Sequence, residues 1–70
     1  MVEESVESRR NWAISSTSPA ELEKLAEDEN KDVRWAVARK NANTPVPLLE
    51  KLAGDEDYGV RQAVAYNRII

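Results

Sequence analysis

Short apolar stripes at helical spacing run along the chain. In residues 22–26 (LEKLA) and residues 33–37 (VRWAV), apolar side chains recur at positions i, i+3 and i+4, which places them on one face of an α-helix. The same spacing returns in residues 49–53 and 60–64. We therefore predict an all-α fold with five short helices, at residues 3–14, 19–28, 31–40, 46–54 and 58–67.

These stripes belong to an internal repeat. Residues 22–38 and residues 49–65 are identical at 12 of 17 positions, and equivalent positions lie 27 residues apart. A weaker copy lies upstream, where we align residues 10–14 with residues 34–38. Helices of about ten residues are marginal alone, so each unit has to bury its stripes against a neighbouring unit. A stack of helix pairs, as in a solenoid, achieves this.

The starts of the first helices carry clear signals. Ser18–Pro19 and Thr44–Pro45 each predict a helix start, because a hydroxyl caps free N–H groups and proline suits the first turn. Pro47 fits only if it also lies in the first turn, so we expect these first helices to be short and partly 3₁₀. The acidic turns at residues 28–30 and 55–57 suit the positive N-terminus of the helix that follows.

The length and the repeat predict a single repeat domain over residues 1–70. At its start we expect a polar capping helix, with Arg9 and Arg10 facing solvent. Ile69 and Ile70 either fold back over the last helix or are exposed and favour self-association through the C-terminal end. The predicted parts are an N-terminal capping helix and partial repeat at residues 1–16, repeats at 17–41 and 42–67, and a C-terminal tail at 68–70.

The order of these motifs resembles a known repeat. VRxAVA, then Asn, then Thr-Pro, LLEKLA and Asp-Glu-Asp is similar to the repeat of the leucine-rich repeat variant family and, more broadly, to HEAT-like α-solenoids. The resemblance covers about residues 10–67 and is carried by residues 33–38, 43–45 and 48–53. It implies a short right-handed α–α superhelix of about two and a half helix pairs that acts as a scaffold. One founding type adds a cysteine-ligated Fe–S domain, which this chain, without cysteine, does not share.

The composition limits the chemistry that the chain can perform. It has no Cys and no His, which excludes disulfides, thiolate-ligated clusters, a histidine base and a cysteine nucleophile. Carboxylate pairs such as Asp28 with Asp32 lie in turns, without a Gly-rich loop beside them. We therefore predict no catalytic residue, no metal site and no cofactor, and we expect that the protein is not an enzyme.

Charge and hydropathy indicate a protein of the cytoplasm. The formal net charge is −3, which argues against anionic membranes and nucleic acid as main partners. No apolar run approaches the roughly 18 residues of a membrane span, and the first residues lack the pattern of a secretory signal. We expect a soluble cytoplasmic protein with no membrane partner.

Arginine recurs at one place in the repeat. Arg34 and Arg61 each follow an aspartate, Asp28 and Asp55, by six residues. The resemblance to HEAT-like proteins implies an Asp–Arg ladder formed by these four residues, in which each pair braces a turn against the next unit. A guanidinium can fork onto a carboxylate or a helix-end carbonyl. The alternative is an arginine row that binds phosphate; the accompanying aspartates favour the structural role.

Positions that differ between the repeats predict a binding surface. Trp35 is replaced by Gln62, and Arg39 by Tyr66. Trp35 lies about 150° around the helix from its own core stripe, with Arg39 one turn later on the same side. Aromatic and arginine side chains together are typical of protein-binding hot spots. We call Trp35, Arg39, Gln62 and Tyr66 the outer patch, and we predict a non-catalytic scaffold that binds another protein through it.

Two alternatives to this interpretation remain. Trp35 could instead pack onto the preceding unit, against Trp12, with Arg39 stacked over its ring. The second alternative is nucleic-acid or anion binding through a basic face, because such a face can bind phosphates despite an acidic total, although solvated charge is its commoner meaning. Eight of the ten basic residues lie in or beside the second helix of each unit: Arg9, Arg10, Lys31, Arg34, Arg39, Lys40, Arg61 and Arg68.

Overall fold

The computed structural model describes residues 5–69, and it describes side chains for residues 5–67. The first four residues of the predicted cap and the side chains of Ile69 and Ile70 lie outside this range. Over residues 5–69 the chain is all-helical, which confirms the predicted class and the predicted five helices. They are α1 (Val6–Ser15), α2 (Pro19–Leu25), α3 (Lys31–Arg39), α4 (Val46–Leu52) and α5 (Tyr58–Ile69).

Side-chain caps fix the starts of α1, α2 and α3. Ser5, Ser18 and Asn30 each accept a hydrogen bond from a backbone N–H two or three residues later. Pro19 follows Ser18 as the first residue of α2, where its missing N–H leaves no hydrogen bond unmade. The cap predicted at Ser18 is therefore confirmed.

The start of α4 differs from the prediction. Pro47 lies in the first turn as expected, but Pro45 occupies the cap position without a side-chain hydrogen bond. Thr44 instead donates its Oγ1 hydrogen to the carbonyl oxygen of Val37, 2.8 Å away in the last turn of α3. The predicted capping by Thr44 is wrong, because the longer connection between α3 and α4 turns this hydroxyl toward the helix before it.

The first helix of each unit is an α-helix. Both α2 and α4 have seven residues, and the predicted 3₁₀ conformation does not occur in either. Only the ends tighten: the Asp28 N–H donates to the Leu25 carbonyl oxygen at 3.1 Å, and the Asp55 N–H to that of Leu52 at 3.0 Å. These bonds of i to i−3 type satisfy carbonyls that a helix end leaves free.

Helix α3 lies at the centre of the molecule. It packs most extensively on α1 and α5, while α2 contacts α1 and α3, and α4 contacts α3 and α5. The molecule is accordingly elongated, with extents of 39 × 23 × 15 Å. Successive units thus meet mainly through the second helix of each pair.

The core is narrow and rich in alanine. The Val33 and Val37 side chains of α3 are fully buried, as are the small residues Ala36 and Ala38 between them. Small side chains let helix axes approach closely, so a thin core still excludes water. The buried apolar residues are Ala13, Leu22, Leu25, Ala26, Val33, Ala36, Val37, Ala38, Leu48, Leu49, Leu52, Val60, Ala63 and Val64.

Candidate functional site

Two arginines reach from one unit to the acidic turn of the next. Arg9 Nε donates to Asp28 Oδ2 at 2.7 Å, and its Nη2 to Oδ1 at 3.3 Å. Arg34 binds Asp55 in the same way, with Nε–Oδ2 at 2.9 Å and Nη2–Oδ1 at 3.2 Å. Each pair is a two-pronged, charge-assisted contact, which fixes orientation as well as distance.

A third prong holds the arginine to its own unit. Arg34 Nη1 donates to the carbonyl oxygen of Asp28 at 2.7 Å, and Arg61 Nη1 donates to that of Asp55. Within a unit, the ladder residues therefore meet through the aspartate backbone. The aspartate carboxylate is reserved for the arginine of the preceding unit.

The carboxylates of the ladder also shape the acidic turns. Asp28 Oδ1 accepts the N–H of Asn30 at 2.8 Å, and Asp55 Oδ1 accepts that of Asp57 at 2.8 Å. Each aspartate thus closes its own turn and receives an arginine fork at once. The side chains of Arg34 and Asp55 are only 9% and 10% exposed, so this contact is shielded from water and salt.

Arg9 is the ladder residue that the sequence prediction missed. The predicted alignment places Arg10 beside Arg34 and turns Arg9 toward solvent, whereas the structure gives Arg9 the contacts of Arg34. The offset between these units is therefore 25 residues rather than 27, because the connection from α1 to α2 is shorter than that from α3 to α4. The equal spacing of Ser5 to Asn30 and Arg9 to Arg34, with both Ser5 and Asn30 at helix caps, is the signal that identifies it.

Two asparagines form a second set of contacts between units. The buried Asn41 side chain donates from Nδ2 to the carbonyl oxygens of Ala13 at 2.8 Å and Ser16 at 2.7 Å. Asn67 Nδ2 repeats the contact one unit later, on the carbonyl oxygen of Ala38 at 2.7 Å. These amides close the carbonyl ends of α1 and α3, which otherwise lack partners.

Three residues of the outer patch converge across two units. The guanidinium carbon of Arg39 lies 4.3 Å from the ring centre of Tyr66 and 5.9 Å from that of Trp35. These distances are within the range of cation–π attraction. Gln62 is exposed, but its Nε2 donates to the hydroxyl oxygen of Tyr58 at 3.4 Å rather than to a patch member.

Trp35 combines core packing with exposure. It is partly buried against the hydrophobic core, and its other side lines a shallow cleft of about 330 Å³. Trp12 is 40% exposed, and its Nε1 donates to Glu21 Oε1 at 3.1 Å. The cleft beside Trp35 is also lined by Arg10, Lys31, Asp32, Asp57 and Gly59, so charges of both signs surround an indole face.

The basic residues of the second helices do not form one uniform face. Arg9 and Arg34 are paired with carboxylates, and Arg61 donates to a backbone carbonyl. Arg39 and Lys40 both lie 5.9 Å from the ring centre of Trp35. An isolated positive strip for phosphates is thus interrupted by carboxylates at each acidic turn.

Neither a metal site nor a membrane span is visible over residues 5–69. In that part of the chain no group of three or more carboxylates is arranged to hold a metal ion. None of its helices is both long enough and apolar enough to cross a bilayer.

Comparison with known proteins gives no relative. No protein-family model, no curated protein and no solved structure matches the chain. The resemblance to the leucine-rich repeat variant family thus stays a prediction, and function has to be argued from the geometry.

Proposed function

We propose that the protein is a non-catalytic helical scaffold that binds another protein through the outer patch. The observation that carries this proposal is the position of Arg39 between two aromatic rings, 4.3 Å from the Tyr66 ring centre and 5.9 Å from that of Trp35. Arginine and aromatic side chains are the residue types that contribute most to binding when a partner excludes water from them.

The exposure of these side chains favours binding over a purely structural role. Tyr66 is 53% exposed, and Arg39 is exposed as well. An exposed cation–π contact contributes only about 0.5–1 kcal/mol to folding, so stability gives little reason for this arrangement. The stacking instead orders long side chains in advance, which lowers the entropy that a partner has to overcome.

The proposed scaffold is a short right-handed superhelix of about two and a half helix pairs. Two equivalent contacts support this part of the proposal. The fork of Arg9 on Asp28 recurs as that of Arg34 on Asp55, and the amide contact of Asn41 recurs at Asn67. A contact that repeats from unit to unit is the mark of a stack in which each unit touches only its neighbours.

Site-specific photo-crosslinking in the source cell tests the proposal. A photoreactive phenylalanine analogue replaces the exposed Gln62, and a matched control places it at Glu50, which is exposed on α4. We expect a discrete protein adduct at position 62 that is absent at position 50. The adduct should disappear in the double variant Arg39→Ala and Tyr66→Ala, whose far-ultraviolet circular dichroism should stay unchanged.

Two results would contradict the proposal. One is an adduct of equal intensity at both positions, or one that survives loss of the Arg39 and Tyr66 side chains. The other is an adduct that nuclease removes and protease leaves in place, because it would indicate the alternative partner, a nucleic acid.

A further inference from the structure

Helix α5 presents a copy of the surface through which α1 and α3 bind the following unit. In α1 and α3 this surface contains an alanine, Ala13 or Ala38, that the next unit buries completely. The equivalent residue of α5, Ala65, is exposed. We call Arg61 and Ala65 the end face of α5.

The arginine of the end face has only part of the contacts that its equivalents have. Arg34 uses Nη1 on a carbonyl oxygen of its own unit and uses Nε and Nη2 on the carboxylate of the next. Arg61 makes the first contact through Nη1, but no carboxylate among residues 5–67 forms an ion pair with it. Its two-pronged side therefore remains available for a carboxylate from outside these residues.

The opposite end of the molecule does not offer a matching surface. At the positions where α3 has the fully buried residues Val33 and Ala36, α1 has the exposed polar residues Ser8 and Asn11. A second copy docking through α1 would bury two polar side chains where the internal interfaces bury apolar ones. The two ends are therefore unequal, and the partner of the end face differs from the α1 end of this chain.

We propose that the end face binds a helix-pair unit of a partner protein whose turn offers a carboxylate, as Asp28 and Asp55 do here. Charge complementarity specifies this occupant, because a guanidinium fork matches a carboxylate with two parallel hydrogen bonds. The exposed Ala65 allows the partner helix to approach closely. This surface lies on a different side of α5 from Gln62 and Tyr66, so the inference is independent of the proposed outer patch.

A chain with one additional unit tests this inference. A second copy of residues 42–67 is inserted between Asn67 and Arg68, so that Asn67 precedes the copy as Asn41 precedes the original. The inserted copy acts as the probe, since it carries the required turn. We expect the extended chain to unfold in one transition at a higher temperature, with the Ala65 amide more protected from hydrogen exchange.

The variant Arg61→Met separates docking from general stability. It should lower the melting temperature of the extended chain by more than about 10 °C and that of the natural chain by less than about 5 °C. Replacing the inserted copy of Asp55 by Asn should remove most of the gain. Equal shifts in both chains, or two separate transitions, would overturn the inference.

Other occupants give other results, and each would overturn the inference. If the natural chain forms dimers that Arg61→Met dissociates, a second copy occupies the end face. If Arg61→Met lowers the melting temperature of the natural, monomeric chain by more than about 10 °C, the chain's own C-terminal residues already cover it.

Discussion

Arg34 of α3 and Asp55 of the turn before α5 are joined by two hydrogen bonds, of 2.9 and 3.2 Å, and both side chains are almost buried. Asp55 at the same time closes its own turn by accepting the N–H of Asp57. One carboxylate thus fixes the conformation of a turn and the position of the neighbouring unit. The geometry between units follows from this shared group, so its loss should affect the whole stack.

Asn41 should contribute strongly to stability. We expect Asn41→Ala to lower the free energy of unfolding by about 2–3 kcal/mol, because it leaves the carbonyl oxygens of Ala13 and Ser16 buried without their donor. Urea denaturation measures the change. The matched control is Asn43→Ala in the same connection, whose side chain is exposed and which should change the value by less than about 0.5 kcal/mol. Similar losses at both positions would show that the amide contact is not the cause.

The outer patch should separate stability from binding. Trp35→Ala should cost about 2 kcal/mol, because part of the indole packs against the core. Arg39→Ala should cost less than about 1 kcal/mol, because it removes only an exposed stacking contact. Denaturation of the two variants, beside the crosslinking yield at position 62, checks the separation. If Arg39→Ala destabilises the fold as much as Trp35→Ala, the patch is structural.

The two indoles should differ in fluorescence. Trp35 is partly buried, whereas Trp12 is 40% exposed. The variant Trp12→Phe reports Trp35 alone, and its emission maximum should lie at shorter wavelength than that of Trp35→Phe, which reports Trp12. Acrylamide should quench Trp12 more strongly. The reverse order of wavelengths would contradict the burial of Trp35.

A surface ion pair between α4 and the turn after α2 makes stability depend on pH. Lys51 Nζ donates to Glu27 Oε2, and this bond with the lysine charge lowers the pKa of Glu27 below its ordinary 4.5. The same contact raises the pKa of Lys51 above 10.5. The stabilisation by Glu27 is thus present above its unfolded-state pKa and lost as pH falls through the lower folded value; that by Lys51 is lost as pH rises through its folded value.

Lys51→Met should therefore reduce the stability of the protein at pH 7 and have little effect at pH 3, where Glu27 is protonated. The loss should be small and should shrink further in about 1 M salt, because both groups are exposed. The matched control is Lys24→Met, at the equivalent position of α2, where no ion pair forms among the described residues. An effect of Lys51→Met that persists unchanged at pH 3 would contradict the ion pair.

The helices follow from the sequence because their signals are local. Apolar spacing, the Ser18 cap and the prolines fix each helix within a few residues, and no distant contact is needed to place them. Thr44 shows the limit of this reasoning, since its local pattern is that of a cap but the length of the connection directs its hydroxyl to Val37.

Contacts between units are harder to predict than helices. Arg9 is hidden by a connection two residues shorter than its equivalent, which shifts the alignment by one position in a helix where Arg10 follows directly. Asn41 is hidden for another reason: its partners are backbone carbonyls, and these leave no trace in the residue types. The outer patch is accessible to prediction, because differing residues in an otherwise identical repeat mark positions that the stack does not constrain.

The comparison of Arg34→Met with Arg61→Met in the same chain tests the central claim that buried arginine forks join the units. Both residues occupy the same position of the repeat, but only Arg34 binds a carboxylate among the described residues. Urea denaturation should show a loss of about 3–5 kcal/mol for Arg34→Met, which leaves Asp55 buried without its partner, and less than about 1 kcal/mol for Arg61→Met. Equal losses for the two variants, or no loss for Arg34→Met, would contradict it.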